Sequence, residues 1–269
     1  MPNKTYVHLV RHAQGFHNLC VENHQLRDPD LTPLGESQCA ALQKDFLHHE
    51  KVTHLVASPM RRTIYTCLLS FKPVVERGVK VVALPDIQEV SPFPCDCGSE
   101  PEDLLKEFGG GAEGKVDLGL VKEGWNDKGI GSEYAPEMRK LEVRAKRARE
   151  WFRDLGKDAE ENDKEVNIVA VTHGGFLHFL TEDWDGMDLN KGTGWSNCEW
   201  RSYEVVEEEG TGEVRLKEVE QSWRRRRGSL QGLTETEQME LRSAVGKELE
   251  GGFAQLKAGK QEEKEEEKE

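Results

Sequence analysis

Short apolar runs recur along the chain, and the first four of them end at polar or charged residues. These four runs cover residues 6–10, 54–57, 79–84 and 166–171. Runs of this length that are apolar nearly throughout are typical of strands buried on both faces of a sheet. Two later segments are also predicted to be strands, 202–206 and 214–219.

Helical patterns lie between the apolar runs. One helix is predicted to begin at Pro33 with Thr32 as its N-cap, and a second to begin at Pro59 with Ser58 as its N-cap. A third carries an apolar face made of Met138, Leu141, Ala145, Ala148, Phe152 and Leu155. Because the predicted strands alternate with helices, we expect an α/β fold with a mostly parallel central sheet and helices on both faces.

The length and the charge distribution predict one folded domain followed by a tail. A chain of 269 residues is long enough to bury a sizeable core. We expect that core within residues 1–220, followed by a charged, partly disordered tail over 221–269, since its last nine residues, QEEKEEEKE, are too polar to bury apolar surface. The basic segment WRRRRGSL has three interpretations: a nuclear-import signal, a phosphorylation site at Ser229, or a solvated tail.

Composition also limits the classes of partner. A net charge of −14 at pH 7 disfavours a nucleic-acid binder, which needs an electropositive face. No run reaches the roughly 18 apolar residues of a membrane span, and no apolar leader opens the chain. We therefore expect no membrane association and a cytoplasmic location, with the nucleus as the alternative. The six cysteines contain no CxxC pair, so they are interpreted as reduced thiols.

The polar residues that follow the four apolar runs are candidates for a single site. In open α/β sheets, ligands bind beyond the carboxyl ends of the strands, and these ends meet at one edge when the strands are parallel. The residues that this rule brings together are Arg11, His12, Arg61, Arg62, Asp86, Glu89 and His173.

This set of side chains suits phosphate chemistry. The planar guanidinium of arginine binds a phosphate through two hydrogen bonds. An imidazole kept uncharged by nearby cations can attack phosphorus, and a carboxyl group near a bound dianion can retain its proton and act as a general acid. Two histidines could instead hold a metal, but adjacent guanidiniums would repel a divalent cation. The residues therefore favour phosphoryl transfer that needs no metal and no other cofactor.

The motifs resemble those of the histidine phosphatase superfamily, also called phosphoglycerate mutase-like, over about residues 5–205. In chain order they are VRHAQGFHN, LTPLGESQ, SPMRRTIYT, IQEV and VTHGG. The segments PCDCGS and VTHGGFLHFLTEDW resemble the fungal and plant phosphoglycerate mutase-like branch in particular. The resemblance implies a three-layer phosphoglycerate mutase-like fold.

The resemblance also implies roles for individual residues. His12 would be the nucleophile, and Glu89 would be the proton donor that later activates water. The phosphoryl oxygens would be held by Arg11, Arg62 and His173. Further predicted phosphate or substrate contacts are Asn18, Gly174, Arg61, His17 and Trp125, the last of them within a predicted capping insertion at residues 99–135.

Two departures from the family patterns bear on the backbone and on the reaction. Ala13 stands where the signature usually has glycine, so the backbone there is not expected to need a positive φ. The pattern Phe-x-Gly-Trp-x-Asp of glycolytic mutases is absent, which favours hydrolysis of a small phosphorylated metabolite. A phosphoglycerate mutase-type isomerase and a noncatalytic phospho-ligand or protein-binding module are the alternatives, and the oligomeric state is left open.

Overall fold

One mixed sheet forms the centre of the molecule. A computed structural model describes residues 4–109, 114–158, 165–188, 192–227 and 233–266. Within them the sheet has seven strands in the order β4-β3-β2-β5-β1-β6-β7. Their bounds are Thr5–Arg11 for β1, His54–Ala57 for β2, Val81–Ala83 for β3, Val116–Asp117 for β4, Val166–Thr172 for β5, Trp200–Glu207 for β6 and Val214–Glu218 for β7.

The sheet is mostly parallel, as predicted. Strands β1, β2, β3, β4 and β5 pair in parallel, whereas β6 and β7 are antiparallel to their neighbours at one edge. Parallel pairing brings the carboxyl ends of β1, β2, β3 and β5 to the same edge of the sheet. The residues that follow these four strands are therefore close together.

Helices cover both faces of the sheet. Their bounds are Pro33–Asp45 for α1, Arg61–Ser70 for α2, Lys72–Glu76 for α3, Pro101–Phe108 for α4, Met138–Asp158 for α5, Gly174–Thr181 for α6, Glu220–Arg227 for α7 and Glu235–Glu266 for α8. Over the described ranges, no helix is both long and apolar enough to cross a membrane.

The first predicted helix start is confirmed and the second is wrong. The Oγ1 of Thr32 accepts a hydrogen bond from the backbone N–H of Gly35 at 3.0 Å, which caps α1. In contrast, α2 begins at Arg61 with Met60 as its N-cap. The hydroxyl of Ser58 lies 2.9 Å from Nε2 of His173, so a tertiary contact replaces the predicted cap.

The core lies in two layers, one on each face of the sheet. Along β5, Val166, Ile168 and Ala170 pack with residues of α5 and α6. The alternate side chains, Val169 and Val171, pack with residues of α1, α2, α3 and α4. All seven positions of β5 are buried, which explains why its sequence is apolar nearly throughout and does not alternate.

The described part of residues 99–135, the predicted capping insertion, contributes to the sheet and to the core. This segment supplies α4 and the edge strand β4, which pairs with β3. Its Trp125 is only 1% exposed and belongs to the core on the α1–α4 face. Much of the segment therefore extends the sheet and the core.

The C-terminal region also differs from the predicted boundary at residue 220. Helix α8 packs against α5, and its Val245 is 4% exposed within the core, with Leu241 and Leu249 packed beside it. The folded unit therefore includes much of the predicted tail, and the helix continues to Glu266. Residues 228–232, which include Ser229, and 267–269 lie outside the described residues.

The burial of Val245 predicts that α8 contributes to global stability. We expect Val245→Ala to lower the free energy of unfolding by about 1 to 2 kcal/mol, because it removes buried methyl groups. Met239→Ala is the matched control, since Met239 lies on the same helix but is 69% exposed, and we expect it to change stability by less than about 0.5 kcal/mol. Urea-induced unfolding measures both values, and equal effects would contradict the packing of α8 on the core.

Candidate active site

The candidate site lies at the carboxyl edge of the parallel strands. Arg11 is the last residue of β1, and His12 follows it. Glu89 comes soon after β3, beyond a short 3-10 helix at Pro85–Ile87. His173 follows β5 and is the N-cap residue of α6. The centroids of the His12 and His173 rings are 5.2 Å apart.

The backbone around His12 is fixed by side chains from distant segments. Asn197 donates from Nδ2 to the carbonyl oxygen of His12 at 2.9 Å. The N–H of Ala13 donates to Oγ1 of Thr66 at 3.0 Å. Ala13 is not among the described non-glycine residues with positive φ. The predicted tolerance of alanine at this position is therefore confirmed.

Helix α1 packs closely against the same loop. A Cβ atom on Gly35 would lie 2.2 Å from the carbonyl oxygen of Gln14. Glycine is therefore required where the loop approaches the first turn of α1. The adjacent N–H of Thr32 donates to the same carbonyl at 2.9 Å, which fixes the distance between the two segments.

The contacts of His12 define its tautomer. Its Nδ1 lies 2.7 Å from the carbonyl oxygen of Ala13, which can only accept, so Nδ1 carries the proton. In the neutral ring the lone pair is then on Nε2. Burial lowers the pKa of His12 well below its usual 6.5, and the charges of Arg62 and Arg11 lower it further. The ring is therefore uncharged at neutral pH.

His173 has the opposite tautomer. Arg62 donates from Nη2 to its Nδ1 at 3.1 Å, and a guanidinium can only donate. The proton of the neutral ring is therefore on Nε2, which donates to Oγ of Ser58 at 2.9 Å. Burial and the charge of Arg62 lower the pKa of His173 well below 6.5. The side chain of Ser58 thus has a role in the site that the sequence pattern did not indicate.

Arg62 is fully buried beside these rings. Its Nη1 donates to the carbonyl oxygen of Cys95 at 2.7 Å, and its Nη2 donates to Oδ1 of Asp96 at 2.8 Å. Its Nε is buried without a hydrogen-bond partner, as are Nε of Arg11 and Nδ1 of His17. A buried donor without a partner is costly. Two cationic N–H donors of this kind near His12 favour a site for an anion.

His17 lies next to this group, with its ring centroid 5.3 Å from that of His12. Burial lowers its pKa to about 2, with further contributions from Arg62 and Arg11. Its ring is therefore neutral at neutral pH.

Glu89 approaches the first turn of α6. Its Oε1 accepts from the N–H of Phe176 at 3.1 Å, and its Oε2 accepts from the N–H of Gly175 at 3.3 Å. A Cβ atom on Gly175 would lie 2.7 Å from Oε1, so glycine permits this approach. Desolvation raises the pKa of Glu89, and the charge of Asp96 raises it further. The carboxyl group therefore retains a proton to a higher pH than an exposed glutamate does.

The structure places two buried cations near Glu89 that the sequence analysis did not predict as part of the site. Lys128 is 5% exposed and donates from Nζ to the carbonyl oxygen of Glu89. Burial lowers its pKa to about 8, and Arg144 adds to the shift. Arg144 donates to the carbonyl oxygen of Gln88 at 2.8 Å and lies over the ring of Phe176. Both cations hold the backbone that carries Glu89.

No motif surrounds Lys128, and it contacts a carbonyl from a distant segment. Arg144 could have been found from the sequence, because a charged residue there interrupts the apolar face of α5 between Leu141 and Ala145.

Two predicted contacts do not reach this cluster. Arg61 forms ion pairs with Asp30 and Glu107, each at 2.9 Å, because successive residues of α2 point in different directions. Trp125 is enclosed in the core, where its ring would touch a Cβ atom placed on Gly98. In this structure, neither side chain is available to a phosphate at His12.

Two other predicted contacts lie at the edge of the cluster. Asn18 is exposed, and its Oδ1 accepts from the N–H of Gly15 at 3.1 Å, which stabilises the loop after His12. Gly174 is buried at the first position of α6, directly after His173. Its position at a helix N-terminus is one that favours anions.

The chain is similar to proteins with phosphatase and mutase names. Residues 7–219 match the sequence profile of the histidine phosphatase superfamily (branch 1). A Schizosaccharomyces pombe protein named as a probable phosphatase is 33% identical over 108 residues, which are 39% of this chain and 50% of that protein. Phosphoglycerate mutase-like protein 1 of Arabidopsis thaliana is 26% identical over 243 residues, covering 75% of this chain and 81% of that protein.

A solved structure of phosphoglycerate mutase from Bacillus anthracis matches with a TM-score of 0.48 and 18% identity. The match covers 81% of this chain and 93% of that chain.

The buried neutral histidines predict a loss of stability in mild acid. The pKa of His17 is lower in the folded chain than its ordinary value of 6.5, so the unfolded chain binds the additional proton first. The free energy of unfolding should therefore fall as the pH drops below 6.5, by roughly 2 kcal/mol for each such histidine between pH 7 and pH 5.

Urea unfolding at the two pH values tests this prediction through matched variants. We expect His17→Gln to reduce the pH-dependent loss by about that amount. The control, Met239→Ala, changes an exposed side chain that does not titrate and should keep the wild-type dependence. An unchanged loss in His17→Gln would contradict a neutral, buried His17.

Proposed function

The chain belongs to the histidine phosphatase superfamily, and we propose that it hydrolyses a phosphate monoester through a phosphohistidine formed on His12. The superfamily and the phosphatase-named relative support a phosphoric monoester hydrolase. The phosphohistidine mechanism is supported chiefly by the state of His12. Its ring is neutral, with the lone pair on Nε2, and it lies beside the buried guanidinium of Arg62.

Substrate binding uses the cations around His12. The phosphoryl oxygens take up the unpartnered N–H donors of Arg11 and Arg62. The Nε2–H of His173, which donates to Ser58 in this structure, donates to a phosphoryl oxygen instead when substrate is bound. Hydrogen bonds between charged partners are short and strong, so these donors stabilise the charge that spreads over the oxygens during transfer. His17 and the N-terminus of α6 at Gly174 complete the pocket.

The first chemical step transfers the phosphoryl group to the protein. Nε2 of His12 attacks phosphorus and the bond to the leaving oxygen breaks. Glu89 gives its proton to that oxygen, so that an alcohol departs. The raised pKa of Glu89 suits this role, because its carboxyl group is more often protonated than an exposed one.

The second step restores the free protein. Glu89, now a carboxylate, takes a proton from a water molecule as the water oxygen attacks phosphorus. The P–N bond to His12 breaks, and inorganic phosphate leaves. Neither step uses a metal ion. The substrate proposed is a small phosphorylated metabolite, and hydrolysis is preferred to isomerisation because the segment that glycolytic mutases carry is absent.

Removal of the nucleophile should abolish turnover. We expect His12→Ala to lower kcat for p-nitrophenyl phosphate by at least about 10³-fold, because it removes the side chain proposed to form the covalent intermediate. The control His48→Ala changes an exposed histidine and should retain activity. The activity assays are repeated with a chelator present. In a second experiment, the protein is incubated with labelled substrate and quenched in alkali, and the label retained on the protein is measured. Label on His12→Ala, or activity lost to the chelator, would contradict the proposal.

The adjacent arginines offer a second test. Arg62→Lys keeps the charge but loses the forked donor, so we expect kcat/KM to fall by about 10- to 100-fold and inhibition by inorganic phosphate to weaken. Arg61→Lys should stay within about twofold of wild type, since Arg61 pairs with Asp30 and Glu107. Steady-state kinetics on both variants give the comparison. Equal losses would exclude a special role for Arg62.

A further inference from the structure

The segment PCDCGS, noted in the sequence, forms part of the wall beside Arg62. A 3-10 helix at Pro94–Asp96 presents the Cys95 carbonyl and the Asp96 carboxylate to the guanidinium. Asp28, which is 1% exposed, anchors the segment further along. Its Oδ2 accepts from the N–H of Ser99 at 2.9 Å, and its Oδ1 accepts from the N–H of Arg61 at 3.0 Å. The segment is thus fixed against the start of α2.

Asp96 uses both of its carboxylate oxygens inside the protein. Oδ1 accepts from Nη2 of Arg62 at 2.8 Å, and Oδ2 accepts from Oγ of Ser91 at 2.5 Å. The side chain belongs to a residue that is only 8% exposed. Nη2 of Arg62 also donates to His173, so a continuous chain of hydrogen bonds runs from Ser91 to Ser58. Movement of Asp96 would therefore disturb both Arg62 and His173.

The charge of Asp96 also acts on Glu89. Over the described residues, the charged groups that act on Glu89 include Asp96, Arg11, Arg62, Lys128 and Arg144. Four of these five groups are cations, which favour the carboxylate form of Glu89. Asp96 is the anion among them, and it opposes their effect.

We propose that Asp96 is a positioning residue of the site: its carboxylate, itself bound by Ser91, holds the Arg62 guanidinium in place beside His173. This inference rests on the proposed function, in which Glu89 is the proton donor. It gives the Cys-Asp-Cys segment a role that depends on the carboxylate of its aspartate. Asp96 itself touches neither the substrate nor the reacting atoms.

Two variants separate the two effects of Asp96. Asp96→Asn keeps an oxygen that accepts from Arg62 but removes the charge. We expect the alkaline limb of the kcat profile to move to lower pH by roughly half to one unit, while kcat at the acidic end stays within about threefold of wild type. Asp96→Ala also removes the acceptor. We expect Asp96→Ala to have a kcat/KM at the acidic end about tenfold lower than that of Asp96→Asn, since it also loses the charge-assisted hydrogen bond to Arg62.

The control Glu107→Gln removes a carboxylate that pairs with Arg61, and its alkaline limb should coincide with that of wild type. Thermal unfolding confirms that each variant is folded. The proposal is overturned if Asp96→Ala and Asp96→Asn have the same kcat/KM at the acidic end. A limb of Asp96→Asn that coincides with that of wild type would exclude the effect of the charge on Glu89.

A readout that needs no turnover separates the effect of this charge from the proposed function. Infrared difference spectra follow the protonated carboxyl band of Glu89 against pH, with Glu89→Gln to assign the band. A lower midpoint in Asp96→Asn supports the role of the charge, and an unchanged midpoint overturns it. If the wild-type protein hydrolyses no phosphate monoester, the proposed function fails, while this titration still decides whether Asp96 controls the proton on Glu89.

Discussion

The buried guanidinium of Arg62 is the constraint on which the arrangement of the site depends. A cation removed from water is costly unless hydrogen-bond acceptors surround it. Three acceptors come from two parts of the chain: the Cys95 carbonyl and the Asp96 carboxylate from one segment, and Nδ1 of His173 from another. The 3-10 helix at Pro94–Asp96, the start of α2 and the end of β5 must therefore meet at this point. The parallel sheet makes the meeting possible, because β2 and β5 end side by side.

Removal from water has opposite effects on the pKa values of the imidazole and the carboxyl group. In both cases it disfavours the charged form, so it lowers the pKa of His12 and raises that of Glu89. A single property of the pocket thus keeps the imidazole of His12 neutral and favours the protonated form of Glu89, as their proposed roles require. The surrounding charges then adjust the two groups differently. Arg62 and Arg11 lower the pKa of His12 further, whereas Asp96 raises that of Glu89 against the cations nearby.

Apolar runs sufficed to predict six of the seven described strands, because strands such as β5 are buried on both faces and are apolar nearly throughout, whereas the short edge strand β4 was not predicted. Motif spacing identified the residues that the sheet brings together around His12. Tertiary contacts were harder to predict. The serine of Ser58-Pro59 has the pattern of a helix cap, but its hydroxyl contacts His173. Lys128 lies in no motif. The few apolar residues of α8, such as Val245, give a weak signal within a charged sequence, yet they complete the core beside α5.

Arg61 and Arg62 are identical in chemistry and differ in direction. An α-helix turns by about 100° for each residue, so one side chain faces two surface carboxylates and the other faces the interior. A deletion of one residue within the first turn of α2, before Arg62, would turn the side chain of Arg62 by that angle. The guanidinium would then leave its acceptors although Arg62 itself had not been lost. The length of the connection between β2 and α2 is therefore constrained together with the side chains of Ser58 and Arg62.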